Sequence, residues 1–391
     1  MLLGFKTQLK ITSPQTREVL AQHCGVARHA YNWGLWLTKN ILEHNKNNPE
    51  EKLKFPTAID LHKCLVALVK PKYEWYYSVS KCAPQYALRY LREAWDKCFK
   101  KTSGVPKFKK KYKHDSFTLD GAIHVDHFKI KLPRIGWVKT YERLPQGIKP
   151  KSVTISRKAD KWYISFKIDI EVNETPKPIN VVGVDLGILA LATCSTGKVF
   201  EGIRAFKQLE RKLASLQWKN RHKQKKSNNW YKAKTKIARL HQRIANLRKD
   251  YLHKMTTYLA KNHSIIVIED LNVSGMLKNH KLSKAISDGA FYEIRRQLTY
   301  KCELYSSKLI LADRFYPSSK KCNCCGEINP HLTLSDRIFE CLKCGWIGDR
   351  DLNAAKNLEQ LGRAMPEVTS VYKKTPKSLA EAGNKAKRTE N

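Results

Sequence analysis

The chain has 391 residues, 42% of them apolar, which is enough for two or three domains with cores of their own. Its 74 Lys and Arg stand against 35 Asp and Glu, a net charge of +39 that is out of place in an ordinary small-molecule enzyme. Such a balance points to a polyanionic partner, because neutralising phosphates releases condensed counterions; the strongly amphipathic helix or lipid anchor that a membrane surface would require is not seen, and neither is a membrane span nor a signal peptide.

Phe5–Ile11 alternates apolar and polar residues, as a half-buried strand does. Ser13 and Pro14 supply an N-cap and a first-turn proline for a helix with Leu20, Cys24, Ala27, Tyr31 and Leu35 on one stripe. Residues 56–101 read as mainly helical, with Tyr86, Tyr90, Trp95 and Phe99 set among lysines and arginines. Most of these rings suit a core, and a basic face carrying rings can also stack on bases. Lys107–Lys113 is a basic connector suited to phosphate contacts. From 115 to 172 the pattern turns to short strands: Phe128–Leu132, then Val153–Ser156 and Trp162–Ile168 as a hairpin about Lys158–Lys161. This β module is expected to pair with the N-terminal strand, which makes 15–115 a helical insertion within it. Glu171–Pro178, with two prolines, reads as a linker.

Val181–Gly187 is the stretch on which the rest depends. Four apolar or small residues run into Asp185, the pattern of a strand buried on both faces and ending in a charge. A lone aspartate there would be a capped or paired strand end, since a buried charge is costly without a partner. Glu269, however, ends a second apolar run, Ile265–Ile268, and Asp351 opens a helix farther on. Three such carboxylates are what a divalent-metal site on a mixed α/β sheet requires. After Asp185, Leu189–Cys194, a turn at Ser195–Gly197 and Lys198–Phe200 make an antiparallel meander. Between Arg204 and Lys249 there are sixteen Lys or Arg and one acid, Glu210, on two helices marked by Leu209, Leu213 and Leu216 and by Ile237, Leu240, Ile244 and Leu247. The second helix feeds the strand ending at Glu269, an expected parallel neighbour of the Asp185 strand. Leu309–Leu311 is a further strand.

Cys322-x2-Cys325 and Cys341-x2-Cys344 have the spacing of a zinc ribbon, each pair followed at once by glycine, and four thiolates make a closed, structural zinc site. Cys324 lies inside the first pair; the spacing selects Cys325. The remaining cysteines have no partner spacing, and an odd total of eleven fits a reducing, cytoplasmic setting. Asp351, Ala354, Ala355 and Leu358 fall at i, i+3, i+4 and i+7, one helical face, so Asp351 should face the sheet while Asp349 caps the helix. Beyond Leu361 the apolar period is lost, and the tail reads as disordered.

Gly183-Val184-Asp185-Leu186-Gly187, Ile266-Val267-Ile268-Glu269-Asp270-Leu271 and Asp349-Arg350-Asp351-Leu352-Asn353-Ala354-Ala355-Lys356-Asn357 resemble, in order, the three RuvC motifs of TnpB proteins, transposon-encoded RNA-guided nucleases related to type V CRISPR effectors. Tyr316–Lys320, Leu252–Lys254 and Ala30–Asn32 extend the likeness. The resemblance implies an α/β multidomain chain: a β-barrel-like wedge domain (1–14 and 115–172) interrupted by a helical recognition domain (15–114), an RNase H-like RuvC domain (179–316 and 346–362) with a zinc ribbon (317–345) inserted, and a disordered tail (363–391). It implies a guide RNA from the transposon end, double-stranded target DNA as substrate, and one protein per RNA in the cytoplasm, nucleoid-associated when bound. A short motif beside the target would be read near Lys81, Gln85 and Thr118, although Pro84 replaces the family's usual apolar residue. Catalysis would use two Mg²⁺ ions, bridged by Asp185 with Glu269 and Asp351 each completing one site. A recombinase joining DNA ends without RNA, and a non-enzymatic zinc-ribbon repressor on a relict fold, are the competing functions.

Overall fold

The computed structural model describes residues 1–172, 177, 180–333 and 335–365. Most of the expected linker and the tail from 366 on lie outside them. Two compact units form, Met1–Glu171 with Ser215–Gln242, and Val172–Ala214 with the chain from Arg243 on. No helix among the described residues is long and apolar enough to cross a membrane.

In the first unit, strand β1 (Leu2–Lys10) leads to helix α1 (Pro14–Asn47), whose Ser13 cap accepts a hydrogen bond from the Thr16 amide at 3.3 Å. The stripe from Leu20 to Leu35 is buried, as its spacing predicts. Helix α2 (Ala58–Cys64) continues through a π turn at Leu65–Val69, and α3 (Cys82–Phe99) packs along α1. Of the ring residues set in this basic region, Trp95 is core, whereas Tyr90 and Phe99 are 40% and 49% exposed. Strands β2 (Ser116–Asp120), β3 (His124–Asp126), β4 (Lys129–Leu132), β5 (Gly136–Thr140), β6 (Ser152–Lys158) and β7 (Lys161–Asp169) follow. The β6–β7 turn holds Ala159 at φ +54°. β1 pairs antiparallel with β7 from Leu2↔Asp169 to Gln8↔Tyr163, so the N-terminal strand joins a seven-stranded sheet of order β2-β6-β7-β1-β5-β4-β3. The helices are therefore an insertion between its strands, as expected.

The second unit is built on β8 (Val181–Asp185), β9 (Ala190–Cys194), β10 (Val199–Glu201), β11 (Ile265–Glu269) and β12 (Lys308–Ala312), in the order β10-β9-β8-β11-β12. The first three form the expected meander; β11 is parallel to both β8 and β12. Helices α4 (Ala205–Arg221) and α5 (Asn228–Asn262) connect β10 to β11, and α6 (Val273–Met276), α7 (Ser283–Gly289) and α8 (Phe291–Leu304) connect β11 to β12. The hairpin β13 (Ile338–Glu340) and β14 (Ile347–Asp349) then leads into α9 (Arg350–Ala364), so regular structure runs two residues past the expected end at 362.

The sheet has a core on each face. Val182, Val184, Ile266 and Ile268 pack with Leu252, Met255 and Leu259 of α5 and with Ile294 and Leu298 of α8. Val181, Ile265, Val267 and Ile310 pack with Leu358 of α9. Two glycines let α9 lie directly on the strands. A Cβ on Gly183 would fall on the Ala355 carbonyl oxygen and come within 2.5 Å of the Glu359 amide nitrogen; one on Gly362 would meet Val267 at 2.6 Å. Backbone cannot yield as a flexible side chain can. Gly183→Ala should therefore lift α9 and cost about 2 kcal/mol or more, at the upper end of overpacking penalties. Urea denaturation reads this out, and an unshifted midpoint would show that α9 is not seated as described.

Candidate functional site

Strand periodicity decides where the carboxylates point. Side chains alternate between faces, so with Val182 and Val184 in one core, Asp185 projects with Val181 and Gly183 onto the α9 face. In β11 the same parity puts Glu269 with Ile265 and Val267. The parallel register pairs Val267 with Gly183 and Ile268 with Val184, so Glu269 and Asp185 each follow the last of these pairs at the same end of two adjoining strands. Both stand at the carboxyl ends of parallel strands, where ligands of α/β sheets gather.

Helix α9 runs antiparallel to β8: Gly362 lies over Val181, Ala355 over Gly183, and Asp351 in the first turn reaches the strand ends. Asp349 caps the helix, as the helical spacing predicts, accepting from the Leu352 amide at 2.8 Å. Burial, then the charges of Glu269 and Asp351, hold the Asp185 carboxyl well above the usual carboxylate range, with Arg350 acting against them. Arg350 pairs with Asp351 at 3.4 Å, and Ser318 donates to Glu269. The site thus concentrates negative charge that a hard cation would relieve, and its all-oxygen donors suit Mg²⁺. Among the described residues only the cysteine quartet brings three or more such donors within 4.8 Å of one another, so the carboxylates line a site wider than one ion's cage.

That quartet is Cys322, Cys325, Cys341 and Cys344. Sulfur separations of 3.7 Å for Cys322–Cys344 and 3.4 Å for Cys325–Cys341 are far too long for disulfides. They approach the ~3.8 Å edge of a tetrahedron with Zn–S bonds of about 2.3 Å, so the residues fit a tetrahedral ion. Cys324 is exposed and donates its amide to the Cys322 sulfur at 3.4 Å, leaving Cys325 as the fourth member. Gly326 and Gly345 sit at φ +79° and +70°, which closes each knuckle with little strain because glycine has no Cβ.

The residues that tie this module to the carboxylates belong to none of the motifs singled out by spacing. Asn353 and Asn357 are fully buried on the face of α9 that also carries Ala354 and Leu358. The Asn353 side chain accepts from the Asn323 amide at 2.9 Å and donates to the Lys321 carbonyl at 2.7 Å; Asn357 donates to the Ser318 carbonyl at 2.8 Å. Ser318 in turn holds Glu269. The available signal was two amides one turn apart on a stripe otherwise apolar, since a buried amide must find partners.

In the first unit, Lys81 and Gln85 lie one turn apart at the start of α3, exposed and partly exposed. Thr118 is 2% exposed, its hydroxyl bonded to Tyr90 at 3.0 Å and Thr154 at 2.9 Å. It therefore braces the surface under Tyr90 and presents no free group to a partner.

Three family models match the chain. Residues 165–280 match OrfB_IS605, described as "Probable transposase"; 291–358 match the Cas12f1-like TNB domain; and 1–47 match a helix-turn-helix domain. That last region is folded here as β1 followed by the single helix α1. The chain is 38% identical over 300 residues to "Putative RNA-guided DNA endonuclease InsQ" of Escherichia coli, covering 72% of this chain and 74% of that protein. It is 31% identical over 399 residues to "Putative RNA-guided DNA endonuclease Rv2885c" of Mycobacterium tuberculosis, covering 91% and 85%. Among solved structures, the mini-RNA-guided endonuclease CRISPR-Cas_phi3 superposes with a TM-score of 0.53 at 9% identity, over 93% of this chain and 92% of that one, a likeness of fold.

Proposed function

Because the chain belongs to the TnpB family of transposon-encoded RNA-guided DNA endonucleases, we propose that it hydrolyses target DNA at Asp185, Glu269 and Asp351 after a guide RNA has paired beside a short adjacent motif. What supports this reading is that the charges of Glu269, at the end of β11, and of Asp351, in the first turn of a helix seated on Gly183, both act on Asp185 at the end of the parallel strand β8. On this reading the five-stranded sheet with α9 is the RNase H-like RuvC domain, the quartet is a zinc ribbon inserted in it, and the seven-stranded sheet is the wedge domain interrupted by the helical recognition domain.

A bound pair of Mg²⁺ ions would supply an activated water and charge stabilisation for the departing 3′ oxygen. Asp185 feels the charges of both Glu269 and Asp351, so it would be the carboxylate shared by the two ions, with Glu269 and Asp351 each completing one site. Ser318 orients Glu269, and Arg350 holds Asp351. One structural Zn²⁺ would sit on Cys322, Cys325, Cys341 and Cys344. The guide RNA comes from the transposon end, and base pairing reads the target while the net charge of +39 holds the heteroduplex by its shape and phosphates. As the family resemblance implies, Lys81 and Gln85, exposed and partly exposed at the start of α3, would read the adjacent motif. One protein per RNA, acting in the cytoplasm on nucleoid DNA, completes the proposal.

The test is to purify the protein with its RNA, sequence that RNA, and assay cutting of a matching DNA before and after RNase. A discrete RNA with a variable 3′ end, and cutting lost with the RNA, are expected. Strand joining that survives RNase would identify a recombinase.

A further inference from the structure

The cleft beside Glu269 holds charges that the metal site does not use. Asp270, the next residue, accepts from Arg295 at 2.5 Å on one oxygen and from Arg314 at 2.9 Å on the other. Arg314 also donates to the Asp270 carbonyl at 3.4 Å. Each guanidinium carries five donors, so most remain unused, and the arginines are 44% and 49% exposed. One carboxylate between two guanidiniums leaves the group net positive and fixes where both forks point. They line a cleft of about 240 Å³ that includes Glu269, Asn272 and Tyr292. Two rings stand by these charges, Tyr292 at 69% exposure and Phe315, adjacent to Arg314, at 87%.

We propose that Arg295 and Arg314, braced by Asp270, grip one phosphodiester of the DNA strand being cut, next to the scissile bond, while Tyr292 and Phe315 stack on its neighbouring bases. The ligand class follows from the groups present. Guanidinium forks match the paired oxygens of a phosphate. Exposed rings beside them call for bases, and only an unstacked base offers its face, so the strand is single at this point. Asp270 acts as a positioning residue, because without it the two guanidiniums would repel and swing apart. This rests on the nuclease function proposed above and adds a subsite to it.

The test uses the full chain with its guide RNA and DNA substrates in which single linkages of the cut strand are replaced by neutral methylphosphonates. With the wild-type protein, neutralising the contacted linkage should slow cutting roughly tenfold, the size of one charged hydrogen-bond contact. The Arg295→Ala/Arg314→Ala variant should cut unmodified DNA slower by a similar factor and be indifferent to that replacement. Equal sensitivity in variant and wild type overturns the proposal. A second arm measures single-stranded DNA binding by Asp185→Ala protein against salt. Adding the two arginine changes should lower the slope of log affinity on log salt by about 0.7, one single-strand phosphate; an unchanged slope overturns the subsite. Binding needs no cutting, so a wild-type protein that fails to cut refutes the nuclease while the slope still decides the subsite. Tyr292→Ala with Phe315→Ala should weaken binding with the slope unaltered.

Discussion

Asp185→Ala is expected to reduce DNA cutting by at least about a thousandfold, roughly 4 kcal/mol of transition-state stabilisation, while the affinity for guide RNA and target DNA holds. The size follows from position: Asp185 ends β8 and feels the charges of both Glu269 and Asp351, so its loss should weaken the proposed metal site as a whole. Asp185→Asn separates catalysis from folding. Burial and the charges of Glu269 and Asp351 disfavour ionised Asp185, so its folded-state pKa lies above the unfolded one. Such a group destabilises the metal-free fold once pH exceeds its unfolded pKa. The neutral amide should therefore melt higher than wild type at neutral pH without divalent ions, yet cut no faster than the alanine variant. Mg²⁺ should raise the wild-type melting temperature and leave that of Asp185→Asn nearly unchanged. Undiminished cutting by either variant would remove the catalytic assignment, and unaltered melting with Mg²⁺ would remove the ion from this site. A repressor on a relict fold would show the binding and none of the cutting in wild type.

How much of this was legible beforehand depended on whether the information was local. Val181–Asp185 and Ile265–Glu269 announced themselves because strands buried on both faces are continuous apolar runs, and a charge closing such a run has few explanations. The Cys-x2-Cys pairs were legible for the same reason: four ligands at fixed spacing leave little freedom. Period 3.6 sets Asp349 apart from the buried stripe of α9, and Asp349 is the residue that caps the helix. Short strands without a long apolar run, such as β2 and β5, gave no individual signal, because their cores come from partners distant in sequence. Thr118 looked like a surface contact until β2 was seen beneath Tyr90. The Ser318, Asn353 and Asn357 network stayed hidden too, since a hydroxyl or amide has many possible partners and only the tertiary fold selects among them.

That network sets the expected outcome of removing the structural metal. Cys341→Ser should abolish the one equivalent of zinc that the quartet is proposed to hold, measured by mass spectrometry of the metal, because structural sites hold zinc by about 10–16 kcal/mol and one thiolate is a large part of it. Cys324→Ser should keep the full equivalent, since its sulfur lies outside the quartet. The disturbance is not confined to the ribbon. Cys341 and Cys344 lie between β13 and β14, β14 ends at the Asp349 cap of α9, and the first knuckle is bolted to α9 through Asn353 and Asn357. Loss of the ion should thus raise hydrogen exchange across 318–353 and free Ser318 from Glu269, so that cutting falls and needs more Mg²⁺. Zinc lost with cutting and its Mg²⁺ requirement unmoved would confine the quartet to holding the ribbon alone. Zinc retained by Cys341→Ser, or lost from Cys324→Ser, would mean that the four thiolates have been wrongly chosen.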